Sequence, residues 1–305
     1  MGLPELQRLV REKLVQRSIS GGGIADGPGG EFRPDATAWG ILALDSAGEP
    51  RTVLAPHCER LMGEQGQDGR VWIDRRHSDS TWPTALAVLA WQGSSSNQVA
   101  QDRAVQFLLH TTGIHAARQA GDPAAHDTLL KGWPWNDSTH SWIEPTTLGV
   151  LALQAAGHGS HTRVQEAIRM LLDRQLPHGG WNYGNTLVFG RELHPAPEST
   201  GAALAGLAGS AGRRQVSRSL DYLQGEIDRL RTPISLGWGL LGLAAWEVRP
   251  PNALVLAERC LADEARYGSY NTTALSLLFL GARAIGLEPN ATLLLRSPRR
   301  SKPLL

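Results

Sequence analysis

Three acidic residues stand near the starts of apolar segments, where carboxyl groups can act as general acids or bases. They are Asp35, Glu144 and Glu198. The free N–H groups and the dipole of a helix N-terminus favour carboxylates there, and a positioned carboxyl group can transfer protons in a reaction. We therefore predict that these three residues are catalytic, and that Glu144 and Glu198 lie close enough to share a proton or a cation. Simple capping of each helix stays open as the alternative.

Tryptophan is the second chemical signal, because the chain contains 10 tryptophans but only 4 tyrosines and 4 phenylalanines. Aromatic faces stabilise cations and stack on apolar or sugar ligands. The predicted substrate-binding residues lie at or beside the same helix starts: Trp39, Trp82, Trp142, Trp238 and Asn271. The alternative for Trp39 and Trp238 is that they only fill the core.

Six short segments with early prolines or Ser, Thr, Asp and Asn residues must position these side chains. Each precedes a run of Ala, Leu, Gly and Val that is apolar on all sides, which predicts a buried helix with a capped start. The segments are Pro34–Thr37, Thr81–Thr84, Glu144–Thr147, Pro197–Thr200, Ile234–Gly237 and Tyr270–Thr273.

Amphipathic, charged segments alternate with these runs, and their apolar residues recur at intervals of three and four, as in a one-sided helix. They are Pro4–Gln16, Thr52–Gln65, Asn97–Thr111, Thr162–Gln175, Gly212–Arg229 and Ala253–Ala265. A long-period repeat of this kind indicates a repeat architecture. We predict an all-α fold, an α/α toroid of about six inner and outer helix pairs, formed by residues 1–290 as one domain and followed by a basic tail, residues 291–305. An open solenoid is the alternative.

Composition excludes several other classes of protein. The formal net charge is +1, so the chain has no electrostatic footprint for nucleic acid. The two cysteines, Cys58 and Cys260, form neither a disulfide scaffold nor a metal-ligand pair. No signal peptide or membrane span is visible. We expect a cytoplasmic protein that uses no cofactor and no metal.

A glutamine followed by glycines and a tryptophan recurs before the apolar runs. The fullest copy runs from Gln175 to Trp181; Gln65 to Trp72 and Gly132 to Trp135 are weaker copies, and in the first copy Phe32 stands near the tryptophan position. This repeat resembles that of the squalene–hopene cyclases and protein prenyltransferases over about residues 4–286. We expect the glutamine and tryptophan to tie an outer helix to the next loop, as scaffold.

The resemblance implies an activity as well. Those cyclases protonate their substrate with the middle aspartate of a D-x-D-D-T-A motif, and the matching stretch here is Arg33-Pro34-Asp35-Ala36-Thr37-Ala38. Asp35 takes the middle position, but both flanking aspartates are missing. If Arg33 lies close to Asp35, it favours the ionised carboxylate, the wrong state for a proton donor.

Two related families are excluded by missing residues. The prenyltransferases bind zinc with an Asp and a Cys two positions later, and the chain has no D-x-C. The complement-like thioester domains need a glutamine three positions after a cysteine, where this chain has Leu61 and Asp263.

The sequence thus leaves three functions open. The first is a squalene or terpene cyclase-like isomerase that rearranges an apolar, isoprenoid-like ligand by acid catalysis. The alternative is a non-catalytic toroid that binds a lipid, a peptide or a partner protein, and the third is a carbohydrate-active toroid with paired carboxylates. Contact with a membrane surface or with a partner domain stays open in each case.

Overall fold

The computed structural model describes residues 2–286, so the predicted basic tail lies outside the described residues. The helices of this part are α1 (Leu3–Gln16), α2 (Pro34–Ser46), α3 (Arg51–Met62), α4 (Trp82–Ala90), α5 (Gln98–His110), α6 (Ile143–Ala155), α7 (Thr162–Asp173), α8 (Pro197–Leu207), α9 (Arg213–Glu226), α10 (Pro233–Ala245), α11 (Ala253–Ala262), α12 (Glu264–Tyr267) and α13 (Thr272–Gly286). None of these helices has the length and apolar character that crossing a membrane requires.

The predicted toroid is confirmed. The inner helices α2, α4, α6, α8, α10 and α13 each pack on the next, and α13 packs back on α2, which closes the ring. The outer helices α1, α3, α5, α7, α9 and α11 each cover the inner ring from outside. The predicted outer segments agree with the observed helices to within a few residues at each end. Closure of the ring excludes the open solenoid.

Glycine allows the inner helices to approach closely. A Cβ atom on Gly201 of α8 would overlap the backbone of Trp238 in α10, and one on Gly237 of α10 would lie 2.6 Å from the carbonyl carbon of Leu277 in α13. Larger residues at these positions would push the helices apart, because an interior packed at crystal-like density leaves no space for them. Glycines in the apolar runs therefore allow the close approach of α8, α10 and α13.

The predicted scaffold role of the glutamine–tryptophan element is confirmed in its fullest copy. The Trp181 indole Nε1 donates to the backbone oxygen of Leu171 in α7 at 2.7 Å. The Gln175 amide Nε2 and the Gly180 backbone N–H both donate to the Ser219 hydroxyl of α9, each at 2.7 Å. The element thus ties its own outer helix to the next one.

A buried threonine near the start of each of four inner helices accepts a backbone N–H from the preceding element. The pairs are Thr37 with Ile24, Thr84 with Val71, Thr146 with Trp133, and Thr200 with Trp181. These bonds fix the first turn of each inner helix against its glycine-rich loop. Side-chain capping of the predicted kind occurs at other starts, where Thr232 caps α10 and Asn271 caps α13.

Two features were not predicted from the sequence. A long loop, residues 111–142, connects α5 to α6, and a short antiparallel hairpin pairs β1 (Leu187–Val188) with β2 (Arg191–Glu192) between α7 and α8. The hairpin meets the long loop where the Phe189 backbone N–H donates to the Pro123 oxygen at 3.0 Å. The long loop leads into α6 and the hairpin precedes α8. These are the inner helices whose first turns carry Glu144 and Glu198.

Candidate active site at the mouth of the ring

The N-terminal ends of the inner helices form one rim of the ring, which we call the mouth. It is defined by the first residues of these helices: Pro34, Trp82, Ile143, Pro197, Pro233 and Thr272. Proline in the first helical turn restricts the backbone without loss of a hydrogen bond, since that N–H has no partner inside the helix. The second residues of α2, α6 and α8 are Asp35, Glu144 and Glu198, so all three predicted acids lie on the mouth.

Glu144 is partly buried and its carboxyl group faces α10, where Oε1 accepts a hydrogen bond of 3.3 Å from the Trp238 indole Nε1. Burial raises the pKa of the Glu144 carboxyl to about 7; the Trp238 hydrogen bond opposes this shift and the charge of Glu198 adds to it. Glu144 therefore holds a proton in a large fraction of molecules near neutral pH.

Glu198 has a different environment from that of Glu144. Its Oε1 accepts from the Tyr183 hydroxyl at 2.8 Å, and its Oε2 accepts from the Ser235 hydroxyl at 2.9 Å. Both oxygens act as acceptors, which is the pattern of a carboxylate. The same contact raises the pKa of the Tyr183 phenol. Glu198 thus belongs to a hydrogen-bonded group spanning α8, α10 and the segment after Trp181.

Trp39 and Trp238 pack against each other, and the Trp238 indole also contacts Glu144. Their ring centroids are 6.0 Å apart with an interplanar angle of 81°, an edge-to-face pair, and their exposed fractions are 1% and 0%. Trp39 belongs to α2 and Trp238 to α10, which are not neighbours in the ring, so the pair fills its centre. Of the two, only the Trp238 indole N–H contacts a predicted acid.

Asp35 lies on the same rim but is held by Arg33. The Arg33 Nε donates to Oδ1 at 3.0 Å and its NH2 group to Oδ2 at 2.6 Å, while its NH1 group binds Asp26 at 3.0 Å. Burial raises the pKa of the Asp35 carboxyl, and the Arg33 hydrogen bonds oppose this shift. Since both oxygens accept N–H donors, the geometry is that of a bidentate ion pair.

The other predicted binding residues are spread around the rim. Trp82 packs edge-to-face on Trp135 at 5.5 Å, and Trp142 stacks on His140 at 4.6 Å. Asn271 is exposed, and its side chain accepts the backbone N–H of Ala274 at 2.8 Å. Its position is explained by helix capping alone.

Sequence reasoning missed Tyr183 as a site residue. It follows Trp181 by two positions, and its hydroxyl contacts Glu198 only because the chain folds back after the fullest glutamine–tryptophan copy. A tyrosine beside that motif was the available signal, but nothing in its spacing linked it to a carboxylate 15 residues further on. Within residues 2–286 no cluster of three or more His, Cys, Asp and Glu side chains has a metal-binding arrangement.

Comparison with known proteins defines the fold and not the family. No protein-family model and no curated protein sequence matches this chain. Among solved structures, a protein from Actinoplanes matches with 14% identity and a TM-score of 0.60, over 94% of this chain and 100% of its own. The GH76A α-1,6-mannanase of Salegentibacter sp. HEL1_6 matches with 11% identity and a TM-score of 0.63, over 93% and 99%.

A terpenoid enzyme is also among the structural neighbours. The ent-copalyl diphosphate synthase of Streptomyces platensis matches with 17% identity and a TM-score of 0.55, over 83% of this chain and 50% of that chain. At such identities the likeness establishes the α/α toroid alone. The cyclase resemblance of the repeat is therefore supported as a fold and stays a prediction as a family.

Proposed function

We propose that the mouth binds a carbohydrate and cleaves a glycosidic bond, with Glu144 as the general acid and Glu198 as its partner carboxylate. One observation carries this proposal: two carboxyl groups from consecutive inner helices lie on one rim in opposite environments. Glu144 packs against an indole, whereas Glu198 accepts two hydroxyl donors. Two carboxyl groups with different environments can divide acid and base roles between them.

The chemistry of glycoside cleavage fits these two groups. The leaving oxygen needs a proton from a neutral acid whose pKa is near the working pH, and burial raises the pKa of Glu144 to about 7. As the leaving oxygen takes that proton, an ionised carboxylate must either activate the attacking water or itself attack the sugar carbon. Glu198 accepts hydrogen bonds at both oxygens, and Tyr183 and Ser235 orient it.

The acid chemistry of a cyclase fits less well. Protonation of a carbon–carbon double bond requires a much stronger acid than a carboxyl group with a pKa of about 7. Asp35, the residue that the cyclase resemblance implies, has both oxygens bound to Arg33. The Trp39–Trp238 pair also fills the ring centre, where a long apolar chain would lie.

Two of the structural neighbours have names that describe enzymes acting on sugars, which further supports the proposal of glycoside cleavage. One is the mannanase, also solved as an inactive variant with two consecutive aspartates replaced, in complex with α-1,6-mannotriose. The other is an α-amylase from Clostridium perfringens, with 9% identity and a TM-score of 0.57.

A non-catalytic toroid is the second candidate. The specific observation in its favour is the ion pair between Asp35 and Arg33. Asp35 is the acid that the repeat resemblance assigns to catalysis, and both of its oxygens are bound to the guanidinium. In that case the mouth binds a ligand without converting it. The isoprenoid-like ligand predicted from the sequence fits this candidate as well as the cyclase, and the cytoplasmic location stays a prediction for either.

The test is a substrate panel with matched variants. Purified protein is incubated with oligosaccharides of varied linkage, and separately with prenyl diphosphates, squalene and oxidosqualene, and products are identified by mass spectrometry. We expect sugar release by the wild type and by Asp35→Asn, and a loss of at least about 100-fold for Glu144→Gln and Glu198→Gln. Cyclised isoprenoid products that disappear in Asp35→Asn would overturn the proposal in favour of the cyclase.

A further inference from the structure

A group of basic side chains lies beside the mouth and has no part in the chemistry proposed above. It comprises His126 from the loop of residues 111–142, His140 from the end of the same loop, and Arg174 after α7, with the Trp142 indole stacked on the His140 ring. We call these four residues the basic cluster. Trp142 is two positions before Glu144, so the cluster lies next to the start of α6.

His126 is the buried member of the cluster. Its exposed fraction is 7%, and its Nδ1 atom is buried without a hydrogen-bond partner among residues 2–286. Burial lowers the pKa of the His126 imidazole to about 4, and the charges of Arg174 and His140 contribute to the shift. An unpartnered buried imidazole nitrogen is costly, so a site of this kind suits a ligand that supplies the missing partner.

Two other buried donors lie in the same cluster. The Trp142 Nε1 and the Arg174 Nε make no hydrogen bond within the described part of the chain. Trp142 is fixed by its stack on the His140 ring, with centroids 4.6 Å apart and planes at 27°. Arg174 is 3% exposed and is fixed by its NH2 group, which donates to the Asp127 backbone oxygen at 3.1 Å.

Arg174 carries the permanent positive charge of the cluster, and Asp173 offsets part of it. Asp173 pairs with the Arg174 NH1 group at 2.9 Å and also accepts the Asp127 backbone N–H. Asp127 raises the pKa of His126, while Arg118 lowers it, and His115 lowers that of His140. Since burial and the Arg174 charge disfavour the protonated forms of both imidazoles, the two rings attract an anion as charged donors only when they take up protons on binding.

We infer that the basic cluster binds an anionic group, a phosphate or a carboxylate, carried by the ligand of the mouth. The indole N–H of Trp142 and the protonated rings of His126 and His140 would donate to its oxygens, with the Arg174 charge behind them. Taken together with the proposed function, on which this step rests, the substrate would be an anionic saccharide such as a uronide or a sugar phosphate. The anion site itself does not depend on catalysis.

Binding of an anion must be coupled to the protonation of the two histidines. Since burial and like charges hold both imidazole pKa values below the usual range, a bound anion raises them and takes up protons. Affinity therefore falls as the pH rises through the pKa values of the complex. Sulfate suits this measurement because its own charge is constant between about pH 5 and 8.

The experiment combines calorimetry with NMR of the full chain. Sodium sulfate, inorganic phosphate, D-glucuronate and neutral glucose are titrated at constant ionic strength, and the His126 and His140 ring resonances are followed against pH with and without sulfate. We expect both histidine pKa values to rise with sulfate, and His140→Gln and Trp142→Phe to weaken sulfate binding at least about tenfold. His158→Gln, after the opposite end of α6, serves as the matched control and should bind as the wild type does.

The outcomes separate the two proposals and the two sources of the anion. Sulfate binding by the wild type together with no turnover of any saccharide by the wild type supports the anion site and contradicts the glycosidase. Preference for phosphate over glucuronate indicates a phosphorylated ligand, and the reverse indicates a uronide. If sulfate leaves both histidine pKa values unchanged, or if His140→Gln and Trp142→Phe bind it as His158→Gln does, the anion site is excluded.

Discussion

At the scale of single residues, Glu144 combines a functional position with a cost in stability. Its pKa of about 7 in the folded protein lies above the usual value of 4.5 for a glutamate, so folding favours the protonated carboxyl. The associated stability is complete below about pH 4.5 and is lost as the pH rises to about 7. Upward shifts of this kind identify functional carboxyl groups as well as poorly solvated ones.

Substitution of Glu144 by glutamine therefore stabilises the fold at high pH. Glutamine keeps the acceptor for the Trp238 indole and removes the buried charge. The gain is at most about 3 kcal/mol at pH 8 and disappears at pH 4.5, as the pKa difference implies. Urea denaturation of Glu144→Gln at both pH values measures it. Glu198→Gln is the control, and an equal gain there at pH 8 would contradict the assignment.

Substitution of Arg33 and substitution of Asp35 should change the free energy of unfolding by different amounts. Asp35 is 2% exposed and the Arg33 side chain 39%, so loss of the arginine leaves a buried charge without its bidentate partner. Arg33→Gln should lower the free energy of unfolding at pH 7 by about 1–3 kcal/mol, less than for a fully buried pair, because Arg33 is partly solvated. Asp35→Asn should cost less.

A double-mutant cycle checks this pair. Denaturation of both single variants and of Arg33→Gln/Asp35→Asn gives the coupling energy, and the double variant should recover part of the loss. Additive losses in the cycle would show that the two side chains do not interact in solution.

At the scale of elements, the sequence predicted the helices well and their side-chain partners poorly. Apolar runs and intervals of three and four residues are local signals, and they placed the outer segments close to the observed α1, α7 and α11. The contacts that define the site join distant positions, such as Trp238 to Glu144, 94 residues apart. Such pairs depend on the closed ring, which no local pattern encodes.

The glutamine–tryptophan element is predicted to be held by one buried hydroxyl. Ser219 accepts from the Gln175 amide and from the Gly180 backbone N–H, so Ser219→Ala leaves two donors without a partner. We expect a loss of about 2–4 kcal/mol in the free energy of unfolding. Ser217→Ala, two positions earlier on the exposed face of α9, is the matched control and should stay within about 0.5 kcal/mol. Equal effects in denaturant titrations would refute this role of Ser219.

Close packing of α8 on α10 gives a second prediction at this scale. Gly201→Ala places a methyl group against the backbone of Trp238, and we expect a loss of about 1–3 kcal/mol from overpacking. Gly225→Ala in α9 has no heavy atom within 4 Å of the new Cβ and should stabilise by about 0.5–1 kcal/mol, since alanine favours helix. Thermal melts of the two variants should shift in opposite directions, and a shift of the same sign would contradict the packing.

At the scale of the whole molecule, closure of the ring places the three predicted acids on one rim. The packing of α13 on α2 places all inner-helix starts on one rim, so acids from repeats distant in sequence share one mouth. The same closure fills the ring axis with Trp39 and Trp238. The sequence indicated that both tryptophans lie at or beside inner-helix starts, but not that they contact each other, because helices α2 and α10 meet only across the centre.

The dependence of glycoside cleavage on pH tests the central claim most directly. If Glu144 must donate a proton, kcat for the best saccharide of the panel should fall about tenfold per pH unit above a pKa of about 7. Glu144→Gln should abolish this limb together with at least about 99% of the rate, while Asp35→Asn keeps its shape. A wild-type profile without that limb, or the absence of cleavage of any saccharide, would contradict the assignment of Glu144 and Glu198 as a catalytic pair.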